Sequence, residues 1–266
     1  MSDRLPGFTE SSFTHNGYTR QVFRAGSGPA VIVIHEVPGI TPRVAAFAQR
    51  VMARGYSVRL PSLFGTPGKA MSFGNALRSI SGACVAKEFT SFALDRTSPV
   101  IGWLRQLASE AHAECGGPGV GVVGMCFTGG FALGMMVDER MLAPVLSQPS
   151  LPFPIGKKRR AALGISDADL ETVKARATQG ACLLGLRFTK DPALPAARFE
   201  TLRNELGESF IAVEIDSSKD NPYGIPRAAH SVLTEHFVDT PGHPTRDALE
   251  RVLTFFDERL RAGTGS

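Results

Sequence analysis

The stretch Gly119-Val120-Gly121-Val122-Val123-Gly124-Met125-Cys126-Phe127-Thr128-Gly129-Gly130 decides the fold. A short apolar run stops at a cysteine set between small residues, and a helix-like stretch continues to about Asp138. The pattern reads as a strand, a sharp turn carrying Cys126, and a helix. Such a turn lifts a nucleophile above the end of a sheet and brings the residues two positions away close to other backbone. Gly124 and Thr128 hold those positions, with Gly129 next. A helix starting after Cys126 would point free N–H groups at the sulfur and favour its thiolate. The same residues contain Gly119-x-Gly121-x-x-Gly124, the spacing of a dinucleotide-binding loop. That loop belongs after a strand and before a helix. Here Val120, Val122 and Val123 make the motif itself the strand, which argues against a dinucleotide.

Working outward, Ala30 to His35 is a second continuous apolar run, as expected of a strand covered on both faces. Glu36-Val37-Pro38-Gly39 breaks it. Val44, Phe47, Ala48 and Val51 then form one stripe of a helix from about Arg43 to Arg54, ended by Gly55. Further strands are expected at 56–60, 142–146, 181–188 and 210–215. Helices are expected at about 88–114, with Trp103 and Leu107 on the core side, and at 166–177, 196–206 and 244–261. Residues 8–24 read as an antiparallel hairpin with Asn16-Gly17 as its turn. Strand and helix alternate, so the fold class is α/β, with a mostly parallel, doubly wound sheet. The Gly-, Ser- and Pro-rich connection from Pro61 to about Val85 is long enough to cover the mouth of a site.

With 266 residues and no composition break, one domain across 1–266 is expected. Hydrophobic residues at 43% and charged residues at 20% suit a soluble enzyme. No apolar run approaches the ~18 residues of a membrane span. Met1 to Ser12 carries no basic-then-apolar leader pattern, so a cytoplasmic location without a membrane partner is expected. A net charge of +4 is too mild to point to nucleic acid, and Lys157-Lys158-Arg159-Arg160 reads as a solvated loop face. The four cysteines, Cys84, Cys115, Cys126 and Cys182, form no C-x-x-C pair, which argues against a structural zinc or a dithiol redox site. Cys182 lies in an apolar run and reads as a buried small hydrophobe.

A cysteine nucleophile needs a base, and the base needs a group to orient it. In α/β-hydrolases the chain order is nucleophile, acid, histidine. Asp191, in Thr189-Lys190-Asp191-Pro192 after the strand at 181–188, suits the acid; Asp216 ends the next strand and is the alternative. His230, His236 and His243 follow the last strand. His236 lies in an extended segment, and His243, before Pro244, suits a helix cap. His230 in Arg227-Ala228-Ala229-His230-Ser231 is best placed, with His243 as the alternative.

Four segments together resemble the dienelactone hydrolase family across nearly the whole chain. They are His35-Glu36-Val37-Pro38-Gly39, Gly55-Tyr56 with Pro61-Ser62-Leu63-Phe64, Gly124-Met125-Cys126-Phe127-Thr128-Gly129-Gly130, and Lys190-Asp191-Pro192. The resemblance implies an α/β-hydrolase fold and a Cys126–His230–Asp191 triad. It also implies that Glu36 lies beside the cysteine to hold or tune the thiol. The oxyanion hole would be the backbone N–H groups of Val37 and Phe127. The chain departs from the family where Thr128 replaces a common glycine, so Thr128 is a candidate substrate contact. It departs again where Arg-Ala-Ala-His replaces Gly-x-Gly-His. The family's carboxylate-binding arginine has no counterpart in Val232 to His236, which leaves Arg78 as a candidate for an anionic substrate. The expected activity is hydrolysis of a small-molecule ester or lactone through a thioacyl intermediate. No metal or organic cofactor is expected, and the protein is expected to be a monomer or homodimer. A non-catalytic binding protein of the same fold and a thiol redox sensor are the alternatives.

Overall fold

The computed structural model describes residues 5–72, 79, 89 and 96–261. Thr9–His15 (β1) and Tyr18–Ala25 (β2) form the expected hairpin, turning at Asn16 and Gly17, which both have positive φ. Ala30–Ile34 (β3), Ser57–Pro61 (β4), Val120–Met125 (β5), Met141–Ser147 (β6), Leu183–Phe188 (β7) and Phe210–Ile215 (β8) run parallel to one another. The sheet order is β1-β2-β4-β3-β5-β6-β7-β8, with β2 antiparallel to β4.

β3 and β5 are buried at every position, and Ile34 lies opposite Gly124. Their alternate residues serve two separate cores: Ile32, Ile34 and Val122 belong to one, Val31, Val33 and Val123 to the other. From β3 the chain winds one way to β4, and from β5 it winds the other way to β8. The strand order therefore reverses between β3 and β5, and the carboxyl ends of strands at such a point form a natural crevice.

The helices, in chain order, are Pro42–Ala53 (α1), Pro99–Cys115 (α2), Phe131–Met135 (α3), Gly156–Ala161 (α4), Asp167–Thr178 (α5), Ala196–Leu206 (α6) and Pro244–Leu260 (α7). α1 and α7 cover one face through Val44, Phe47, Val51, Val252 and Phe256. α2 covers the other through Trp103, Leu104 and Leu107. No helix among the described residues is long and apolar enough to cross a membrane.

Three expectations are corrected. The helix after Cys126 does not run to Asp138: a 3₁₀ turn at Cys126–Thr128 is followed by the five-residue α3. Gly129, Gly130 and Gly134 interrupt this stretch, and glycine costs a helix about 1 kcal/mol relative to alanine. A helix this short has little macrodipole to offer the sulfur. Cys182 is half-buried rather than enclosed, with the Arg259 guanidinium 2.6 Å from its sulfur. The basic run 157–160 falls on α4, where Lys157, Lys158 and Arg160 are exposed.

Two buried basic residues fix the loops around the crevice. His35 accepts from the Leu63 N–H at Nε2 (3.0 Å), so Nδ1 carries the proton and donates to the Glu36 carbonyl (2.9 Å). Arg198 on α6 is almost fully enclosed and donates to the carbonyls of Pro149 (2.7 Å), Pro152 (2.7 Å) and Arg159 (2.9 Å). Burial lowers its pKa to about 10, so the guanidinium stays charged at neutral pH.

Burial lowers the His35 pKa from 6.5 to about 4, against the help of the Glu36 carbonyl. The unfolded chain takes up a proton at the ordinary value, while the folded protein refuses it until the lower one. Stability should therefore fall as pH drops through that window, by about 3 kcal/mol from this residue. His35→Gln should flatten this part of the pH dependence, measured by urea unfolding at neutral and at acidic pH.

Candidate active site

Cys126 stands at the end of β5 with φ 53°, a left-handed conformation that costs a non-glycine residue on the order of 1–3 kcal/mol. Its carbonyl is pinned by two N–H donors, Gly129 (3.0 Å) and Ser150 (2.9 Å). The small residues around it are a matter of space. A Cβ on Gly124 would stand 2.3 Å from the Thr128 carbonyl oxygen, and one on Gly129 would stand 2.5 Å from the Pro149 Cα.

Thr128 is fully buried below the crevice, so its place as a substrate contact is corrected. Its hydroxyl accepts from the Met125 N–H (3.1 Å) and lies within 3.2 Å of the Ile34, His35 and Met125 carbonyls, any one of which can take its proton. The side chain thus ties the turn after β5 to the end of β3.

Asp191, in the loop after β7, and His230, in the loop after β8, meet with Nδ1 2.6 Å from Oδ2. The other Asp191 oxygen accepts from the Ala193 N–H (2.9 Å), which fixes the carboxylate. Nδ1 is engaged by the acid, and the ring and the Cys126 sulfur line the same cavity. Burial opposes a charged ring here. The charge on the sulfur and the Asp191 carboxylate outweigh it, and the His230 pKa stands well above its ordinary value. The alternatives lie elsewhere. Asp216 is exposed and caps Ser218 through its N–H (2.8 Å). His243 caps α7, accepting from the Thr245 N–H at 3.3 Å.

Glu36 borders the same cavity, but its carboxylate is turned toward the His230 loop and not the thiol. It accepts from the hydroxyls of Ser231 (2.6 Å) and Thr234, and from the Gln148 amide at 3.3 Å. The thiol-holding contact implied by the resemblance is corrected on that ground: these donors occupy the oxygens. Burial raises the Glu36 pKa, while the two hydroxyls and the His230 charge pull against it. His236 adds a second support, with Nδ1 accepting from the N–H groups of Ser231 (3.2 Å) and His230 (3.4 Å).

The cavity above the sulfur has a volume of about 210 Å³. Val37, Met71, Phe127 and Phe153 form its apolar walls; Cys126, Ser150, His230 and Ser231 supply its polar atoms. Val37, after β3, and Phe127, after β5, both line this cavity, so both candidate oxyanion residues lie at it. Arg78 falls outside the described residues, as does Cys84. Beyond one local signal, the polar turn Ser147-Gln148-Pro149-Ser150 directly after a buried strand, nothing in the sequence singles out Gln148, Ser150, Ser231 or Thr234. His236, expected in an extended segment, lies instead in a turn against the His230 and Ser231 N–H groups.

Comparison with family models matches residues 17–260 to the dienelactone hydrolase family. Comparison with curated proteins finds no match. Among solved structures, the chain is similar to one assigned as a dienelactone hydrolase from Klebsiella pneumoniae, with TM-score 0.66 and 19% identity over 94% of this chain and 98% of that one. It is also similar to a dienelactone hydrolase from Anabaena variabilis (TM-score 0.60, 17% identity, 97% and 100% covered). A third similar structure is a dienelactone hydrolase-like promiscuous phosphotriesterase from metagenomic libraries (TM-score 0.61, 14% identity, 95% and 98% covered). At these identities the solved structures speak for the fold. The family match spans most of the chain, from the second hairpin strand to the last helix, and on that match the chain belongs to the dienelactone hydrolase family.

Proposed function

We propose that this protein hydrolyses carboxylic esters or lactones with Cys126 as nucleophile, through a thioacyl-enzyme. The observation that carries the reading is the 2.6 Å contact between His230 and Asp191 at the cavity that Cys126 also lines. His230 takes the thiol proton, and Asp191 holds the ring and stabilises its charge. The thiolate attacks the carbonyl carbon. The oxyanion is received by the N–H groups of Val37 and Phe127, and its collapse expels the alcohol oxygen, which takes the proton from His230. Water, activated by His230, then adds to the thioester. The acid leaves, and the cysteine recovers its proton.

The walls of Val37, Met71, Phe127 and Phe153 favour an uncharged acyl group of modest size. An uncharged ester or lactone is therefore the favoured substrate over one bearing a free carboxylate.

Cys126→Ala should abolish turnover of a chromogenic ester while the fold is retained by circular dichroism. His230→Ala should lower kcat by roughly 10⁴–10⁶-fold, the range of losses when members of such a triad are removed. An active Cys126→Ala variant would remove the proposal. A protein whose Cys126 is alkylated in a His230-dependent way, yet which turns over no ester, lactone or thioester, would instead be a binding protein or a thiol sensor. In a substrate panel, neutral short-chain esters should show higher kcat/KM than matched esters carrying a carboxylate on the acyl side.

A further inference from the structure

We propose that the Ser150 hydroxyl is a second hydrogen-bond donor to the Cys126 sulfur, holding the thiolate in the attacking position. The inference rests on Cys126 being the nucleophile. Ser150 Oγ stands 3.5 Å from Sγ, within range of a hydrogen bond to sulfur. Among the described residues this hydroxyl has no other hydrogen-bond partner, although Ser150 is only 4% exposed. A buried hydroxyl with one polar neighbour directs its proton there. Once the thiol proton has moved to His230, the sulfur can only accept, so the direction is set: Oγ–H donates to S⁻.

The serine is held for this task from three sides. Its own N–H donates to the Cys126 carbonyl (2.9 Å), so one residue grips the nucleophile at both backbone and side chain. Arg198 draws in the carbonyls of Pro149 and Pro152 on either side of it. Pro149 packs so tightly on Gly129 that no side chain fits between them. The loop therefore cannot withdraw from the turn without breaking these bonds. The buried guanidinium, which has no carboxylate in this set of bonds, gains a role as the anchor of that loop.

The titratable groups around the pair are Glu36 after β3, Asp191 after β7, and His230 with His236 after β8. Ser150 does not titrate. A change on its removal thus reports the hydroxyl and not a lost charge.

The test is the pH dependence of iodoacetamide alkylation at Cys126, followed by mass spectrometry of its peptide, alongside ester turnover. Ser150→Ala should move the acid limb upward by about 1–2 pH units, the worth of one hydrogen bond to a charged acceptor. Ser150→Thr, which keeps the hydroxyl, should restore the position. An unmoved limb in Ser150→Ala overturns the assignment, as does a shift that Ser150→Thr leaves in place, since packing would then be responsible. If wild-type Cys126 reacts no faster than the other cysteines, the nucleophile reading fails and this inference falls with it. If the wild-type profile stands and only the serine variant is silent, the nucleophile reading survives alone.

Discussion

The left-handed backbone at Cys126 is the constraint on which the site depends. Left to itself, a cysteine would relax from φ 53°. Here it is held by two N–H donors on its carbonyl, by Gly124 and Gly129 clearing the space on either side, and by the Thr128 hydroxyl joined to the end of β3. Each restraint comes from a different part of the chain. The result is a sulfur raised above the sheet at the point where the strand order reverses, with the ends of β3 and β5 meeting beneath it. The strain is local, and two buried strands with a core on each side sustain it.

Two enclosed carboxylates share this region with separate tasks. Asp191 faces His230 directly and favours the charged ring. Glu36 faces the residues that follow His230, through Ser231 and Thr234, and so fixes where the histidine loop sits. With His236 bonding the N–H groups of His230 and Ser231, the loop is tied from both sides. Thr128 shows a similar economy. The side chain at which this chain departs from a common glycine is spent on the scaffold and leaves the cavity to Val37, Phe127 and their neighbours.

Most of the strand framework was legible because continuous apolar runs and a two-residue hairpin turn are local signals. The turn at Cys126 was legible because its geometry demands small residues at fixed offsets. Chain order narrowed the acid to Asp191 or Asp216 and the base to His230, His236 or His243, and the structure brings Asp191 and His230 together. The direction of Glu36 was not legible, since its partners lie about two hundred residues away and no periodicity links them. Arg198 reads in the sequence as one more basic residue of an amphipathic helix; only the folded loop gives it three carbonyls to bind. Three glycines cut the helix after the turn to five residues, shorter than its apolar content suggests. The placement of Thr128 is not legible, because small residues at a turn signal closeness to backbone and say nothing about which side of the turn the hydroxyl faces.

The central claim is that catalysis runs through a covalent bond to Cys126. The most direct measurement is rapid acid quench of the protein during turnover of an excess of a neutral chromogenic ester, followed by peptide mass mapping. A mass increase equal to the acyl group on the peptide carrying Cys126, appearing at the onset of turnover and lost as substrate is consumed, is the predicted result. Continued hydrolysis with the acyl group on another residue, or with Cys126 unmodified at every quench time, would contradict it.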